Sequence, residues 1–169
     1  MYRAFVSLGS NLGPGPEILR CACIELNRMS GISITRRSSL YLTKPEGCST
    51  VQPDFTNAVC SLECSLKPEN LLEILLLIEQ RFKRARPFHN APRTLDLDLL
   101  CCDSVVLDTP KLTLPHPRLR ERAFVLVPFN EIAPDYEVPG CSLKVRELLA
   151  RLPEDALRGV RLIHEPAKK

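Results

Sequence analysis

The chain contains no tryptophan, few glycines and no long apolar run. Its longest apolar stretch, residues 71–78, is interrupted by Glu73, whereas a membrane-spanning helix needs about 20 apolar residues. The first residues also lack the apolar run and small-residue cleavage site of a secretory signal. We therefore predict a cytoplasmic protein with a single domain over residues 1–169, because a chain of 169 residues with 44% hydrophobic content suits one core.

A large charge excess is also missing. The 23 Lys and Arg residues against 20 Asp and Glu residues leave a net charge of +3, which is too small to indicate general binding to polyanions. The three tyrosines and six phenylalanines are too few for an RNA-binding sheet that exposes several aromatics among basic residues. We predict small-molecule substrates, with no nucleic-acid or membrane partner.

Eight cysteines are present, yet no Cys-x-x-Cys spacing occurs among them. Three pairs, Cys21/Cys23, Cys60/Cys64 and Cys101/Cys102, lie inside apolar segments. This placement favours reduced, buried thiols over a disulfide framework or a zinc site, both of which stay open as alternatives.

The hydrophobic period changes repeatedly along the chain. Period-two patterns predict strands over residues 4–8, 32–42, 55–66 and 94–102, whereas helical periodicity predicts helices after Pro16 and Pro68. A hairpin over 103–114 and two helices, 119–132 interrupted near Pro128 and 142–152, follow. The order β-α-β-β-α-β predicts an α+β fold: a ferredoxin-like α/β sandwich with a mainly antiparallel sheet, helices packed on it and an added hairpin.

The sharpest local signal is the sequence Asp96-Leu97-Asp98 within a predicted strand. Residues two apart in a strand point to the same side, so both carboxylates face away from the core that receives Leu97. Two such charges about 4 Å apart repel by roughly 4 kcal/mol at an effective dielectric near 20, which favours a bound cation, with Mg²⁺ the best match to oxygen ligands. The alternative is the solvated side of an ordinary amphipathic strand.

Basic residues surround this pair in the sequence. One group flanks the carboxylates, and a second, downstream group follows; together they suit a polyphosphate bound with magnesium, although each arginine alone is more often a surface charge. The two groups are Arg84, Arg86 and Arg93, and Lys111, His116, Arg118, Arg120 and Arg122. No P-loop motif, nucleophile triad or zinc spacing accompanies them.

Phe55 and Asn57 share one face of the strand predicted over residues 55–66. An aromatic ring and a carboxamide in that arrangement can stack on and hydrogen-bond a flat heterocycle, and Phe124 is a candidate for the opposite side of the stack. The alternative is a core-covering phenylalanine with Asn57 capping a turn.

Four segments read together resemble the 6-hydroxymethyl-7,8-dihydropterin pyrophosphokinases of folate biosynthesis. They are residues 9–13 (GSNLG), 52–58 (QPDFTNA), 91–99 (APRTLDLDL) and 114–117 (LPHP), and the similarity runs from about residue 4 to residue 149. The resemblance implies transfer of pyrophosphate from ATP to the pterin hydroxymethyl group, release of AMP, and two Mg²⁺ ions.

The resemblance also implies a role for individual residues. Catalysis is assigned to Arg84, Arg93, Asp96 and Asp98, and both metals to Asp96 and Asp98. The pterin is assigned to Thr43, Pro45, Phe55, Asn57 and Phe124. The ATP contacts implied are Glu79, Arg84, Arg86, Arg93, Lys111, Thr113, His116 and Arg122.

The chain departs from the family pattern in three places. Phe55 stands where the family commonly has Tyr, Pro117 replaces another frequent Tyr, and residues 86–92 form a loop about one residue shorter than in a familiar bacterial form. The loop's His89 and Asn90 stand where that form has Arg and Trp, which leaves its packing over ATP open.

The end of the chain and two other function classes also stay open. Members of this family are often fused to dihydropteroate synthase or dihydroneopterin aldolase, so residues from about 160 to 169 are predicted to be a polar tail or a linker, and a monomer is the default. The alternatives to a pterin pyrophosphokinase are another Asp-x-Asp metal transferase and a non-catalytic RNA-binding domain.

Overall fold

The structure is a computed structural model that describes residues 1–45, 53–84 and 95–164, with the backbone alone for Arg84. Within these residues the strands are β1 (Tyr2–Ser10), β2 (Ile32–Arg37), β3 (Tyr41–Thr43), β4 (Phe55–Cys64), β5 (Asp96–Cys102), β6 (Leu107–Asp108), β7 (Thr113–Leu114), β8 (Glu137–Val138), β9 (Leu143–Lys144) and β10 (Val160–Leu162). The helices are α1 (Gly15–Arg28), α2 (Pro68–Arg84), α3 (Ala123–Ile132), α4 (Val145–Ala150) and α5 (Glu154–Arg158), and Leu119–Glu121 form a 3₁₀ turn. None of these helices combines the length and apolarity required to span a bilayer.

One main sheet organises the chain. Its strand order is β10-β3-β4-β1-β5, and β2 also pairs with β4, beyond the stretch that β3 occupies. All strand pairs in the described residues are antiparallel. The segment from β1 to β5 follows the ferredoxin-like β-α-β-β-α-β order with one additional short strand, β3, between β2 and β4, so the predicted α+β sandwich is confirmed, and β6 pairs with β7 in the added hairpin.

Helices α1 and α2 cover the first face of the sheet. Helix α2 begins at Pro68, a residue suited to a first helical position, and buries Leu71, Leu75 and Ile78 one and two turns apart. These side chains meet the apolar face of β5, where Leu97 is 3% exposed. Burial of this stripe is the main stabilisation of the helix on the sheet.

Helices α3 and α4 cover only part of the second face. There Phe5 of β1 and Phe129 of α3 pack with their ring centroids 4.7 Å apart, and Val59 of β4 is fully buried beside them. The remainder of this face carries polar residues and lies next to the start of α3. The second face is therefore apolar where the helices cover it and polar elsewhere. Its polar part leaves room for a site between the strands and the start of α3.

Three expectations for the second half of the chain are wrong. The helix predicted over 119–132 breaks at Arg122, whose extended backbone separates the 3₁₀ turn from α3, and Pro128 lies inside α3. Burial of the neighbouring residues Leu126 and Phe129 outweighs the missing N–H of the proline. The helix predicted over 142–152 is shorter, because Leu143–Lys144 pair with β8 before α4 begins.

The predicted tail also needs correction at its start. Val160–Leu162 form strand β10, which pairs with β3 at the edge of the main sheet. Backbone hydrogen bonds to β3 order these residues although two of the three are exposed, so their side chains gave no burial signal. Residues 165–169 lie outside the described part of the chain, and their assignment as tail or linker stays a prediction.

The described cysteines are all free thiols. Cys23, Cys60, Cys64, Cys101 and Cys102 are buried, as predicted for reduced core residues, and Cys141 is partly buried. Cys21 is exposed, because it lies on the solvent side of α1, opposite the stripe that contains Leu19 and Leu26. Cys48 lies outside the described residues.

Candidate active site

Asp96 and Asp98 lie at the start of strand β5, on the second face of the sheet, which α3 and α4 cover only in part. Asp96 is exposed and the side chain of Asp98 is 44% exposed, whereas Leu97 and Leu99 are buried on the opposite face. The alternation is the period-two pattern of a strand whose one face is core. It brings both carboxylates to the same side of the molecule.

Strand register determines what lies beside the carboxylates. Gly9 of β1 is paired with both Asp96 of β5 and Asn57 of β4, so these three residues form one row across the sheet. A Cβ atom on Gly9 would lie 3.2 Å from Asn57 Oδ1, closer than such contacts normally allow. The glycine therefore leaves an open floor between the carboxamide and the acidic pair.

A cavity of about 350 Å³ stands over this row. The sheet forms its floor, and the segment that leads into α3 contributes another part of its lining. Its lining residues are Ser7, Leu8, Gly9, Thr43, Lys44, Phe55, Asn57, Glu79, Asp96, Asp98, Arg118, Arg122 and Phe124.

One part of the lining offers flat and amide surfaces. Asn57 is 5% exposed, and its Nδ2 donates a hydrogen bond to Thr43 Oγ1 at 2.7 Å, which fixes the amide plane. Phe55 of β4 and Phe124 of α3 are both partly exposed and line the same cavity. Two rings and an oriented carboxamide can hold a planar, hydrogen-bonding ligand.

The other part of the lining places three acidic side chains close together: Glu79, Asp96 and Asp98. Burial raises the pKa of Asp96, and the charge of Asp98 raises it further, while Lys83 opposes both effects. Burial likewise raises the pKa of Glu79, against the N–H of Leu97, which donates to Glu79 Oε1 at 2.7 Å. Because β5 is the edge of the sheet, Glu79 satisfies a backbone donor there and sits between α2 and the acidic pair.

Basic groups lie close to this acidic region. Arg122 Nη1 is 3.9 Å from Asp98 Oδ2, and the Arg122 guanidinium lies 5.5 Å from the centroid of the Phe124 ring. Burial lowers the pKa of His116, and Arg122 and Arg118 lower it further, while Asp98 opposes them. The cavity therefore combines negative and positive groups within a small volume.

The donor set fits Mg²⁺. Mg²⁺ is usually bound by one or two carboxylates together with phosphates and water, and Asp96 and Asp98 supply two mutually repelling carboxylates on one face. In residues 1–45, 53–84 and 95–164 there is no group of three or more His, Cys, Asp or Glu residues placed to form an all-protein metal site. As far as the described residues go, a metal held here would therefore complete its coordination with ligands from substrate or water.

The family of this chain follows from comparison with known proteins. Residues 5–134 match the family model for 7,8-dihydro-6-hydroxymethylpterin-pyrophosphokinase (HPPK). This chain belongs to the HPPK family. It is 42% identical over 151 residues to a Synechocystis 2-amino-4-hydroxy-6-hydroxymethyldihydropteridine pyrophosphokinase, covering 89% of this chain and 76% of the relative. It is 41% identical over 160 residues to the Methylorubrum extorquens protein of the same name, covering 95% and 99%.

The fold of HPPK proteins is also recognisable in three dimensions. A crystal structure of Plasmodium falciparum HPPK-DHPS with pteroate superposes with a TM-score of 0.71 over 89% of this chain and 42% of that chain. Sequence identity is 14%, so this likeness concerns the fold alone. The chain spans less than half of that bifunctional protein.

The structure gathers eight of the residues implied by the HPPK resemblance around one cavity. They are Thr43, Phe55, Asn57, Glu79, Asp96, Asp98, Arg122 and Phe124. Four others are described but do not line it: Pro45, Lys111, Thr113 and His116. The side chain of Arg84, and the whole of Arg86 and Arg93, lie outside the described residues.

Lys111 and His116 are held by contacts of their own, and neither lines the cavity. Lys111 Nζ lies 2.7 Å from Glu73 Oε1 on α2, and both side chains are more than half exposed. His116 Nδ1 accepts a hydrogen bond from the backbone N–H of Arg118 at 3.2 Å, and the backbone N–H of His116 donates to Leu100 O at 2.8 Å. Their contacts with ATP stay predictions.

The sequence assigned no individual role in the site to five of the lining residues. They are Ser7, Leu8, Gly9, Lys44 and Arg118. The GSNLG segment was visible as a turn after a strand, but the place of Gly9 depends on the β1–β5 register, which no local pattern reveals. Arg118 was recognised only as one of several basic residues, because the turn that aims it at the cavity is not encoded in periodicity.

Proposed function

We propose that this HPPK-family chain transfers pyrophosphate from ATP to 6-hydroxymethyl-7,8-dihydropterin, giving AMP and the pterin diphosphate. The observation that carries the proposal is the shared cavity: an acidic pair suited to magnesium and a ring-and-amide surface suited to a pterin lie within about 350 Å³. Neither half alone distinguishes this reaction from other metal-dependent transfers, but the two together match an alcohol-bearing bicyclic substrate and a magnesium-bound polyphosphate.

The pterin is expected to stack between Phe55 and Phe124. Asn57, held by Thr43, presents donor and acceptor atoms of a fixed amide to the edge of the ring system. Phe55 lacks the hydroxyl of the Tyr common at its position, and stacking does not need that group. The backbone near Thr43 and Pro45 is expected to complete this end of the site.

Asp96 and Asp98 are the residues that would hold Mg²⁺, and we propose two ions. Bound magnesium supplies positive charge to the phosphate oxygens and lowers the pKa of a coordinated hydroxyl. Arg122 is positioned to add charge at the same end, next to Asp98. We expect Arg84 and Arg93 to contact the transferred phosphates, with Arg86 in a lesser role.

The side chains of this protein are then expected to contribute to catalysis by positioning the substrates and by supplying charge. In the reaction the hydroxyl oxygen forms a bond to the β-phosphorus, the bond from that phosphorus to the oxygen of AMP breaks, and the hydroxyl proton is released. Such transfers need little covalent help from the protein, provided that attacking and leaving oxygens are in line. Rigid strand positions for Asn57 and the acidic pair supply that alignment.

The remaining nucleotide contacts follow from charge. Lys111, Thr113 and His116 are proposed to contact ATP, for which Lys111 must exchange the Glu73 carboxylate for the nucleotide. Glu79 carries the same sign of charge as a phosphate, so its contact with ATP must be to a hydroxyl or amine of the nucleoside. Its bond to the N–H of Leu97 also frames the acidic end.

The decisive experiment resolves the nucleotide product. The purified chain is incubated with ATP, Mg²⁺ and 6-hydroxymethyl-7,8-dihydropterin. The nucleotides are then separated by anion-exchange chromatography, and the mass of the pterin product is measured by mass spectrometry. We expect AMP and a pterin heavier by two phosphoryl groups. ADP as the product, or free pyrophosphate with an unchanged pterin, would overturn the proposal, and omission of the pterin measures background ATP hydrolysis.

A further inference from the structure

Arg118 lies at the cavity on a firmly held turn. Its backbone N–H donates to His116 Nδ1 at 3.2 Å, and its carbonyl accepts the N–H of Glu121 at 3.2 Å. The next residue, Leu119, is 1% exposed and anchors the turn in the core around α3. The base of the Arg118 side chain is therefore fixed, while its guanidinium is free to adjust to a ligand.

Charge distribution makes Arg118 different from Arg122, the other arginine of the lining. Of the described residues that line the cavity, three are cationic: Lys44, Arg118 and Arg122. Arg122 lies 3.9 Å from Asp98, so part of its charge is balanced within the site. Arg118 Nε lies 3.8 Å from Glu121, a residue outside the lining, and these two side chains are 62% and 70% exposed. A pair this exposed is weak and is readily exchanged for a stronger anion.

We propose that Arg118 binds a phosphate group of the nucleotide, an inference that rests on the proposed function and extends its set of nucleotide contacts. A guanidinium pairs best with phosphate or carboxylate oxygens, in a two-pronged geometry that an uncharged pterin does not offer. The lining holds three carboxylates, Glu79, Asp96 and Asp98, against three cations, and carboxylates repel phosphate, so the cationic side chains are the lining groups suited to direct contact with phosphate oxygens.

The chain provides a matched control on the same turn. The sequence pattern grouped Arg120 with the basic residues suited to a polyphosphate, but Arg120 is exposed and does not line the cavity, so Arg120→Ala removes the same charge without touching the site. The variants Arg118→Ala, Arg118→Lys and Arg120→Ala are titrated with a nonhydrolysable ATP analogue and Mg²⁺ by isothermal calorimetry. We expect the Kd to rise about tenfold for Arg118→Ala, less for Arg118→Lys, and less than about twofold for Arg120→Ala.

Kinetics and pterin binding separate a phosphate contact from a structural role. We expect Arg118→Ala to raise KM for ATP with kcat within about threefold of the parent, and to leave the Kd of 6-hydroxymethyl-7,8-dihydropterin unchanged, because the lost interaction serves nucleotide binding in ground and transition states alike. Equal Kd values for Arg118→Ala and Arg120→Ala would overturn the inference, as would an equal loss of pterin and nucleotide affinity. If the parent chain forms no AMP, the proposed function fails, and the analogue titration still decides the role of Arg118.

Discussion

At the scale of single residues, Asp96 and Asp98 combine exposure with mutual repulsion. Their strand places them on one face, the charge of Asp98 raises the pKa of Asp96, and no core contact depends on either carboxylate. Because the pair costs folding free energy and makes no core contact, we expect it to serve ligand binding rather than stability.

The first prediction concerns these two carboxylates. Asp96→Asn and Asp98→Asn should each lower the rate of AMP formation by about 10³-fold or more, because each removes a charged ligand from the site of phosphoryl transfer. The melting temperature in chelator should stay equal or rise slightly, since like-charge repulsion is relieved. Asp108→Asn, an exposed acid of the β6–β7 hairpin, is the control and should leave turnover unchanged. Normal turnover in either site variant would remove that residue from the proposed metal pair.

A second prediction concerns the hydrogen bond between Asn57 and Thr43. Thr43→Val has nearly the same shape but cannot accept from Asn57 Nδ2, so a buried amide donor loses its partner. We expect the free energy of unfolding to fall by about 1–3 kcal/mol and the KM for the pterin to rise, with little change in the KM for ATP. Thr43→Ser keeps the acceptor and should restore most of the pterin affinity. Equal pterin kinetics for Val and Ser would show that Thr43 does not orient the amide.

At the scale of elements, α3 determines which part of the sheet stays open. Its buried residues Val125 and Phe129 cover the half of the second face that contains Phe5, while Phe124 at its start lines the cavity. The opposite end is tied to the sheet by Glu131, whose carboxylate accepts hydrogen bonds from Ser39 Oγ at 2.6 Å and Tyr41 Oη at 2.7 Å. The position of the cavity wall thus depends on a helix that is packed on the sheet and tied to it near its C-terminal end.

The third prediction concerns the hydrogen bonds that Glu131 accepts. Tyr41→Phe removes one bond to Glu131 and should lower the free energy of unfolding by about 1 kcal/mol, whereas Glu131→Ala removes every bond to its carboxylate and should cost more. Glu131→Gln keeps an acceptor oxygen and should fall between the parent and Glu131→Ala. Urea unfolding measures all three. An Ala variant as stable as the parent would show that apolar packing alone holds α3.

The elements also show which features a sequence can reveal. The alternation around Leu97 is local, so its core face and its acidic face were predictable from period two alone, and family motifs then supplied their chemistry. The row that joins Asp96 to Gly9 depends on pairing between strands nearly 90 residues apart, and β10 is a three-residue edge strand with exposed side chains. Neither leaves a periodic signal. The predicted helix break near Pro128 is wrong for the opposite reason. A proline disfavours the interior of a helix locally, but burial within α3 overrides that preference.

At the scale of the whole molecule, the two faces of the sheet serve different purposes. One face is largely core beneath α1 and α2, and the other is shared between core and the cavity at the acidic pair. Edge strand β10 completes the sheet beside β3, the strand that carries Thr43. Fusion to a second enzyme, a monomeric state and a cytoplasmic location remain predictions for this chain.

The fourth prediction tests β10 against the expected tail. A chain ending at Gly159 loses the β10–β3 pairing and the bond from Ile163 N–H to Leu40 O at 2.8 Å, so its melting temperature should fall by several degrees. A chain ending at His164 keeps both and should melt close to the parent. Equal melting of the two truncated chains would mean that β10 adds nothing to stability.

Alkylation of the buried thiols can be used to follow local and global unfolding of this domain. Burial raises the pKa of Cys101 to about 12, so at neutral pH it is protonated as well as shielded, and alkylating reagents attack thiolates. Iodoacetamide followed by mass spectrometry should therefore label Cys21 within the native protein and reach Cys23, Cys60, Cys64, Cys101 and Cys102 only when the fold opens. The order in which those five sites become labelled in rising urea would rank the layers of the sandwich by their local stability, and simultaneous labelling would instead reveal a single cooperative unit.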